Sequence, residues 1–197
     1  LDIGTGAGGI ESHGIAISLG GTFTAHTDAP TINIENVGTG GTGSAIMMLA
    51  SATPTSFTHT GGAITTIGPN GITDNGIELN ANATLTNSGS TINIDGATGD
   101  GVLNNGIKFD NADNSTLNID NSGDNAIEVG VGSIFDNVSG ATTDIDGTTN
   151  DGILVDGEFN NGNGAGVGTV HVDGAGDDGI HVSATGELNN DAGADIN

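Results

Sequence analysis

Three stretches of this chain place carboxylates at one recurring spacing. Asp120, Asp124 and Asn125 precede Ile127; Asp146, Asn150 and Asp151 precede Ile153; Asp173, Asp177 and Asp178 precede Ile180. The shared pattern is Asp-x-x-x-(Asp/Asn)-(Asp/Asn)-(Gly/Ala)-Ile. If the copies stack, Asp120, Asp146 and Asp173 form one column, Asp124, Asn150 and Asp177 a second, and Asn125, Asp151 and Asp178 a third. Neighbours in such columns lie about 4.8 Å apart, and their repulsion is relieved by a cation or by protonation. Oxygen-only donors suit Ca²⁺, which takes about 6–8 of them. The candidate metal ligands are therefore Asp120, Asp124, Asp146, Asp151, Asp173, Asp177 and Asp178, with Ca²⁺ as the candidate cofactor. A plainer reading carries more weight: Asp and Asn favour turns because they accept local backbone hydrogen bonds and tolerate left-handed angles. The glycine-rich nonapeptide calcium repeat, Gly-Gly-x-Gly-x-Asp, is absent.

Other residues invite catalysis less strongly. Asp144/Asp146 and Asp177/Asp178 are carboxylate pairs of the kind a glycosidase sets about a scissile bond. Acids are so frequent here that chance pairs are expected, and Trp, Tyr and Arg, which would hold a sugar, are missing. A non-catalytic protein is the expectation, with a polysaccharide-active enzyme as the alternative. His13, His26, His59, His171 and His181 share no single column and read as surface residues, His171 and His181 at outward strand positions. Thr22-Phe23-Thr24 and Thr58-His59-Thr60 resemble the Thr-x-Thr rows of ice-binding solenoids, so ice or mineral binding is a further alternative; ordinary strand preference for Thr explains them more simply. Asn82-Ala83-Thr84, Asn114-Ser115-Thr116 and Asn137-Val138-Ser139 match the glycosylation tripeptide, a frequent chance pattern in such a chain.

Charge narrows the function classes. The 197 residues carry 25 Asp+Glu against Lys108 alone, a formal charge of −24. Nucleic acid, anionic lipid and polyanionic sugars are bound through Lys and Arg, so such partners are excluded and cations are attracted. Leu, Ile, Val and Phe make up about 23% of the chain, just above the roughly 20% below which chains tend to be disordered, so spacing must decide. No Cys is present, which removes disulfides and zinc–thiolate sites and is compatible with export. No apolar run approaches the roughly 20 residues of a membrane-spanning helix, and the segment contains no signal peptide.

The elements that must hold these residues are short strands. An Ile following Gly or Ala recurs at Ile15, Ile46, Ile77, Ile107, Ile127, Ile153 and Ile180, at spacings of 31, 31, 30, 20, 26 and 27 residues. Most begin an alternation of two, as in Ile77-Glu78-Leu79 and Ile127-Glu128-Val129, which is what a strand with one buried face requires. A second element follows, marked by Phe23, Phe57, Leu85, Phe135, Phe159 and Leu188, with Asn87, Asn137, Asn161 and Asn190 close behind. The third is the most regular: Thr31-Ile32-Asn33-Ile34-Glu35, Thr91-Ile92-Asn93-Ile94-Asp95, Thr116-Leu117-Asn118-Ile119-Asp120, Thr142-Thr143-Asp144-Ile145-Asp146 and Thr169-Val170-His171-Val172-Asp173. Three strands per unit, recurring every 20–31 residues, predict an all-β fold: a parallel β-helix, or β-solenoid, of about seven coils, expected to be right-handed. A β-sandwich gives no reason for the recurrence, and the Gly and β-branched content opposes helix.

The whole of 1–197 reads as one solenoid segment. Residues 1–106 are expected to form wider coils with an extra corner, seen in Gly9-Ile10-Glu11-Ser12-His13-Gly14-Ile15, Gly71-Ile72-Thr73-Asp74-Asn75-Gly76-Ile77 and Gly101-Val102-Leu103-Asn104-Asn105-Gly106-Ile107. Residues 107–197 are expected to form narrower ones, starting with a 20-residue coil that lacks a clear second strand. Leu1-Asp2-Ile3 matches Ile92-Asn93-Ile94, and Asp195-Ile196-Asn197 matches Asp144-Ile145-Asp146. Both ends thus fall inside a third strand without a cap, so continuation into further coils or end-to-end self-association is expected.

The units Asn75-Gly76-Ile77-Glu78-Leu79, Ala83-Thr84-Leu85-Thr86-Asn87 and Asp178-Gly179-Ile180-His181-Val182 resemble those of bacterial surface solenoids, the autotransporter passenger domains and filamentous haemagglutinin-like adhesins. The resemblance spans almost the whole chain through degenerate motifs. It implies an extracellular, cell-surface rod or adhesive fibre facing a host or cell-surface ligand, and it carries over no functional residue.

Overall fold

The computed structural model describes residues 1–3, 12–25, 30–38, 43–68, 71–72, 74–162 and 166–197. Their strands form three parallel sheets, each taking one strand from every coil. The first sheet stacks Ile15–Ile17, Ile46–Met48, Ile77–Leu79, Val102–Asn104, Ile127–Val129, Ile153–Val155 and Ile180–Val182. The second stacks Thr22–Ala25, Thr55–Thr60, Ala83–Ser88, Lys108–Ala112, Ile134–Asn137, Glu158–Asn161 and Glu187–Asn190. The third runs from Asp2–Ile3 through Thr31–Ile34, Ile64–Ile67, Thr91–Asp95, Thr116–Ser122, Thr142–Thr148 and Thr169–Asp173 to Asp195–Ile196. The chain is a parallel β-solenoid with three strands per coil.

The period-2 patterns fold this way because each coil buries one face of every strand against the other two sheets. In the third sheet Ile94, Ile119 and Ile145 pair in register and are buried, while Asn93, Asn118 and Asp144 point outward beside them. In the second, Phe23, Phe57, Leu85, Phe109, Phe135, Phe159 and Leu188 form one column. Its rings stack with nearly parallel planes, their centroids 5.0 Å apart for Phe23–Phe57, 4.8 Å for Phe109–Phe135 and 5.0 Å for Phe135–Phe159. Offset stacking of this kind adds about 0.5–1.5 kcal/mol per pair beyond burial itself. Leu85 interrupts the stack in one coil and keeps the column apolar.

The register corrects one anchor. The first-sheet partner of Ile77 and of Ile127 is Val102, not Ile107. Val102-Leu103-Asn104 does not read as a strand because polar Asn104 takes an inward place; its Nδ2 donates to the Ile134 carbonyl at 2.8 Å and its Oδ1 accepts from Gly106 N at 3.2 Å. Ile107 is 44% exposed and lies just outside the second-sheet strand Lys108–Ala112. Gly101–Ile107 is therefore a strand with its following turn, not an extra corner, and this coil has its full second strand. Starting positions 15, 46, 77, 102, 127, 153 and 180 give coils of 31, 31, 25, 25, 26 and 27 residues, so shortening begins after Ile77. The coil from Ile46 keeps register through all three sheets, with Thr65 standing where the coils on either side place Ile32 and Ile92. At the far end Ile196 pairs with Val170, two places from the match to Ile145 expected from sequence. Gly9, Ile10, Glu11, His26 and Thr73 lie outside the described residues.

Glycine in the corner before the first sheet is required by close approach. A Cβ at Gly101 would meet Ile119 Cγ2 at 2.4 Å and the Ala126 carbonyl oxygen at 2.7 Å. The same place at Gly76 meets Ile94 Cγ2 at 2.5 Å. The corner therefore folds tightly against the third sheet, which sets the geometry of the acids beside it.

Candidate cation-binding corner

The stacked acidic columns read from the sequence are present. Asp120, Asp146 and Asp173 pair in register and are exposed, and Asp95 extends the column by one coil. Asn150 Nδ2 donates to Asp124 Oδ1 across the second column, and Asp177 N donates to the Asn150 carbonyl. The third column is different in kind, because it carries backbone hydrogen bonds. Asn75 Oδ1 accepts from Asp100 N at 2.9 Å, Asp100 Oδ1 from Asn125 N at 3.1 Å, Asn125 Oδ1 from Asp151 N at 3.2 Å and Asp151 Oδ1 from Asp178 N at 3.1 Å. His13 heads the same column, its Nδ1 accepting from Ser44 N at 3.2 Å. Each side chain thus caps an amide of the next coil that would otherwise be orphaned in the turn.

This role explains why Asp and Asn alternate at the corner, and it carries an electrostatic cost where the residue is Asp. Asp100 is 6% exposed, and burial, with Glu128 and Asp124 nearby, raises its carboxyl to about 7. Glu128 is raised as well, by burial and then by Asp156 and Asp124. Asp74 follows the same logic, through burial and Glu78. On the outer face Asp120 is raised by partial burial and by Asp95, Asp146 and Asp144. Asp95, Asp120 and Asp144 line a shallow concavity of about 520 Å³ with Thr66, Asn93 and Asn118.

Sequence reasoning missed Asp100, although Asp100-Gly101-Val102 repeats Asp151-Gly152-Ile153 with one apolar residue exchanged. It also missed His181 as a partner of the corner. His181 Nδ1 lies 3.3 Å from Asp151 Oδ2 and 4.0 Å from Asp178 Oδ2. The other predicted ligands, Asp120, Asp124, Asp146, Asp173 and Asp177, are not drawn into a comparable His-containing group among the described residues.

The polar residues that follow the second-sheet apolar column form a second, buried set. Asn87, Asn111, Asn137, Asn161 and Asn190 stack two residues after the Phe column, and the first four are fully buried. Each Nδ2 donates to the next Oδ1, at 2.9 Å from Asn87, 3.0 Å from Asn111, 2.9 Å from Asn137 and 2.8 Å from Asn161. The second Nδ2 hydrogen reaches the carbonyl of Thr116, Thr142, Thr169 or Asp195. His59, 0% exposed, ends this ladder: its Nδ1 bonds Asn87 Oδ1 at 2.9 Å and its Nε2 bonds Thr65 Oγ1 at 3.0 Å. Because Asn87 Oδ1 only accepts, Nδ1 carries the proton and Nε2 accepts from threonine. Burial lowers the His59 pKa, against the opposing bond to Asn87. The expectation of surface histidines is corrected at this residue.

The remaining motifs also find places in the coils. Thr22, Ser56 and Thr84 align, as do Thr24, Thr58 and Thr86, giving a hydroxyl grid three coils deep that ends at Lys108 and Asp110. Lys108 pairs with Asp136 and, at 3.5 Å, with Asp110. Asn82 and Asn114 are exposed on turns, whereas Asn137 is locked in the ladder. Comparison of the chain with family models, curated proteins and solved structures gives no match.

Proposed function

We propose that this chain is a load-bearing segment of an extracellular rod, of the kind built by autotransporter passengers and filamentous haemagglutinin-like adhesins at bacterial cell surfaces. The observation that carries the reading is the continuity of its interior columns. The Phe/Leu column runs in register through seven coils, and the amide ladder beside it runs through five before His59 closes it. Each coil is thereby tied to the next by three strand ladders and a packed apolar column, and from His59 to Asn190 by side-chain hydrogen bonds as well. That construction resists bending and extension along the axis. The acidic outer surface keeps such a rod hydrated and repels polyanions. Work of this sort needs no catalytic group, and adhesion to a host or cell-surface ligand would use the outward faces.

Single-molecule extension between residues near the two ends tests this reading. A coil of 25 residues releases about 85 Å of chain at ~3.4 Å per residue. Discrete rupture steps at that length or its multiples are expected. Smooth extension at forces that merely straighten an unfolded chain would refute a load-bearing role.

A further inference from the structure

The corner column and the outward row of the first sheet meet differently in the last two coils. Reading up the corner, the residues are His13, Ser44, Asn75, Asp100, Asn125, Asp151 and Asp178, and only the final two neighbours are both acids. The outward row beside it reads Ala16, Met47, Glu78, Leu103, Glu128, Leu154 and His181, with its one histidine at that same place. Chance adjacency of acids is expected in this chain. The coincidence of the doubled acid with the single imidazole is a separate observation.

The geometry points to a binding site for one divalent transition-metal ion of borderline softness, held by Asp151, Asp178 and His181. The three donor atoms all lie within 4.8 Å of one another. An ion with bonds of about 2.0–2.2 Å holds its ligand atoms roughly 3.0–3.5 Å apart. His181 Nδ1 and Asp151 Oδ2 already stand at 3.3 Å. Asp178 Oδ2, at 4.0 Å from the imidazole, belongs to a side chain 64% exposed and free to swing inward. Asp151 supplies the fixed point. Its side chain is only 10% exposed, its Oδ1 is held by Asp178 N, and among the described residues its Oδ2 accepts no hydrogen bond and faces His181. The Asp151 carboxylate and the half-exposed His181 imidazole thus stand at the separation that two ligands of one such ion would take.

The imidazole selects the class of ion. Nitrogen ligation suits Zn²⁺ and its neighbours, whereas Ca²⁺ and Mg²⁺ prefer oxygen alone. This departs from the calcium expectation for the same acids: Asp151 and Asp178 act with a histidine, and the open positions on the solvent side are left for water. Without a metal, a protonated His181 would pair with the same carboxylates, so ion pair and metal compete for one geometry.

Titration of the intact chain with Zn²⁺ by calorimetry, and with Co²⁺ followed by its visible absorption, tests the assignment. One equivalent of Zn²⁺ is expected, with a Co²⁺ band that reports nitrogen ligation. His181→Ala should weaken binding by at least about tenfold, since even a group behind the ligands commonly contributes about 10–100-fold. His181 points outward, so the variant should keep its far-UV circular dichroism; Asp178→Asn provides an independent variant with the same expected loss. Unchanged Zn²⁺ affinity in His181→Ala would overturn the proposal. Displacement of Zn²⁺ by an equal concentration of Ca²⁺, or saturation only at many weak equivalents, would overturn it too, leaving a diffuse acidic surface.

Discussion

Replacing Asp100 by Asn should stabilise the rod at neutral and alkaline pH and do little in acid. Asp100 caps the amide of Asn125 from a site that is 6% exposed, between Asn75 and Asn125 in the corner column. The coils on either side therefore already use Asn for this task. Its folded-state pKa is about 7 against an ordinary 3.8, through burial first and then Glu128 and Asp124. A carboxyl raised on folding contributes its full stability below pH 3.8. That contribution falls as pH rises toward about 7 and is gone above it. The difference of about 3 pH units corresponds to a ceiling of about 4 kcal/mol. Asn keeps the Oδ1 acceptor and removes the charge, so most of that ceiling should appear as stabilisation at pH 8, against about 1 kcal/mol or less at pH 4. For a chain of this size, 1 kcal/mol moves the melting temperature by about 2–4 °C. The expected shift at pH 8 is thus roughly 8–16 °C at most. Trp and Tyr are absent, so far-UV circular dichroism is the readout, with wild type and Asp100→Asn melted at both pH values. Equal shifts at pH 4 and pH 8, or destabilisation at pH 8, would refute the reasoning and show that the carboxylate is favoured in the folded state.

The amide ladder gives two further expectations. Asn137→Ala should cost about 3–5 kcal/mol, because it strands the donors of Asn111 and Thr143 and the acceptors of Asn161 and Thr169 in a buried setting; Asn190→Ala, at the exposed end, should cost about 1 kcal/mol or less, and urea melts of the two variants separate these outcomes. His59 has a lowered folded pKa, so its contribution is present above its ordinary value of 6.5 and is lost as pH falls below it. His59→Asn should fold and should flatten that acid-side loss, since Asn137 with Thr143 already makes the arrangement that the introduced amide would make with Thr65. A variant as sensitive as wild type between pH 6.5 and pH 5 would show that His59 is not the titrating group.

What the sequence makes legible depends on which face a residue type usually takes. The third sheet is plain because Thr-Ile-Asn-Ile-Asp keeps Ile inward and polar residues outward, in phase with the pleat. The strand at Val102 is obscured because Asn104 occupies an inward place, and the pattern then favours Ile107-Lys108-Phe109 instead. The register of Asp195-Ile196-Asn197 slips by two for a related reason: both inward places of a third strand accept Ile, and a shift of two leaves every side chain on its own face. The buried ladder is hidden most completely. Asn87, Asn111 and Asn137 have the composition of turn residues, and only their constant distance of two from the Phe/Leu column sets them inside the rod. The corner acids were legible as a column, but not their work as amide acceptors, which needs the close approach that Gly76 and Gly101 permit.

Burial, more than repetition, decides what a stacked acid costs. On the outer face Asp95, Asp120, Asp146 and Asp173 stand in consecutive coils. Two charges 4.8 Å apart in water repel by about 0.9 kcal/mol before screening, so the three adjacent pairs together cost about 3 kcal/mol, and salt reduces this. One buried carboxylate at Asp100 carries a penalty of about the same size or larger. An exposed acidic column is therefore tolerable without any bound ion, which removes the electrostatic reason to place a cation at Asp120, Asp146 and Asp173. Asp151 is buried to a similar depth as Asp100, but its next neighbour in the column is a second acid, Asp178, instead of Asn, and the His181 imidazole lies 3.3 Å away. What would draw a cation to this corner is the convergence of those donors, not repulsion along an exposed column.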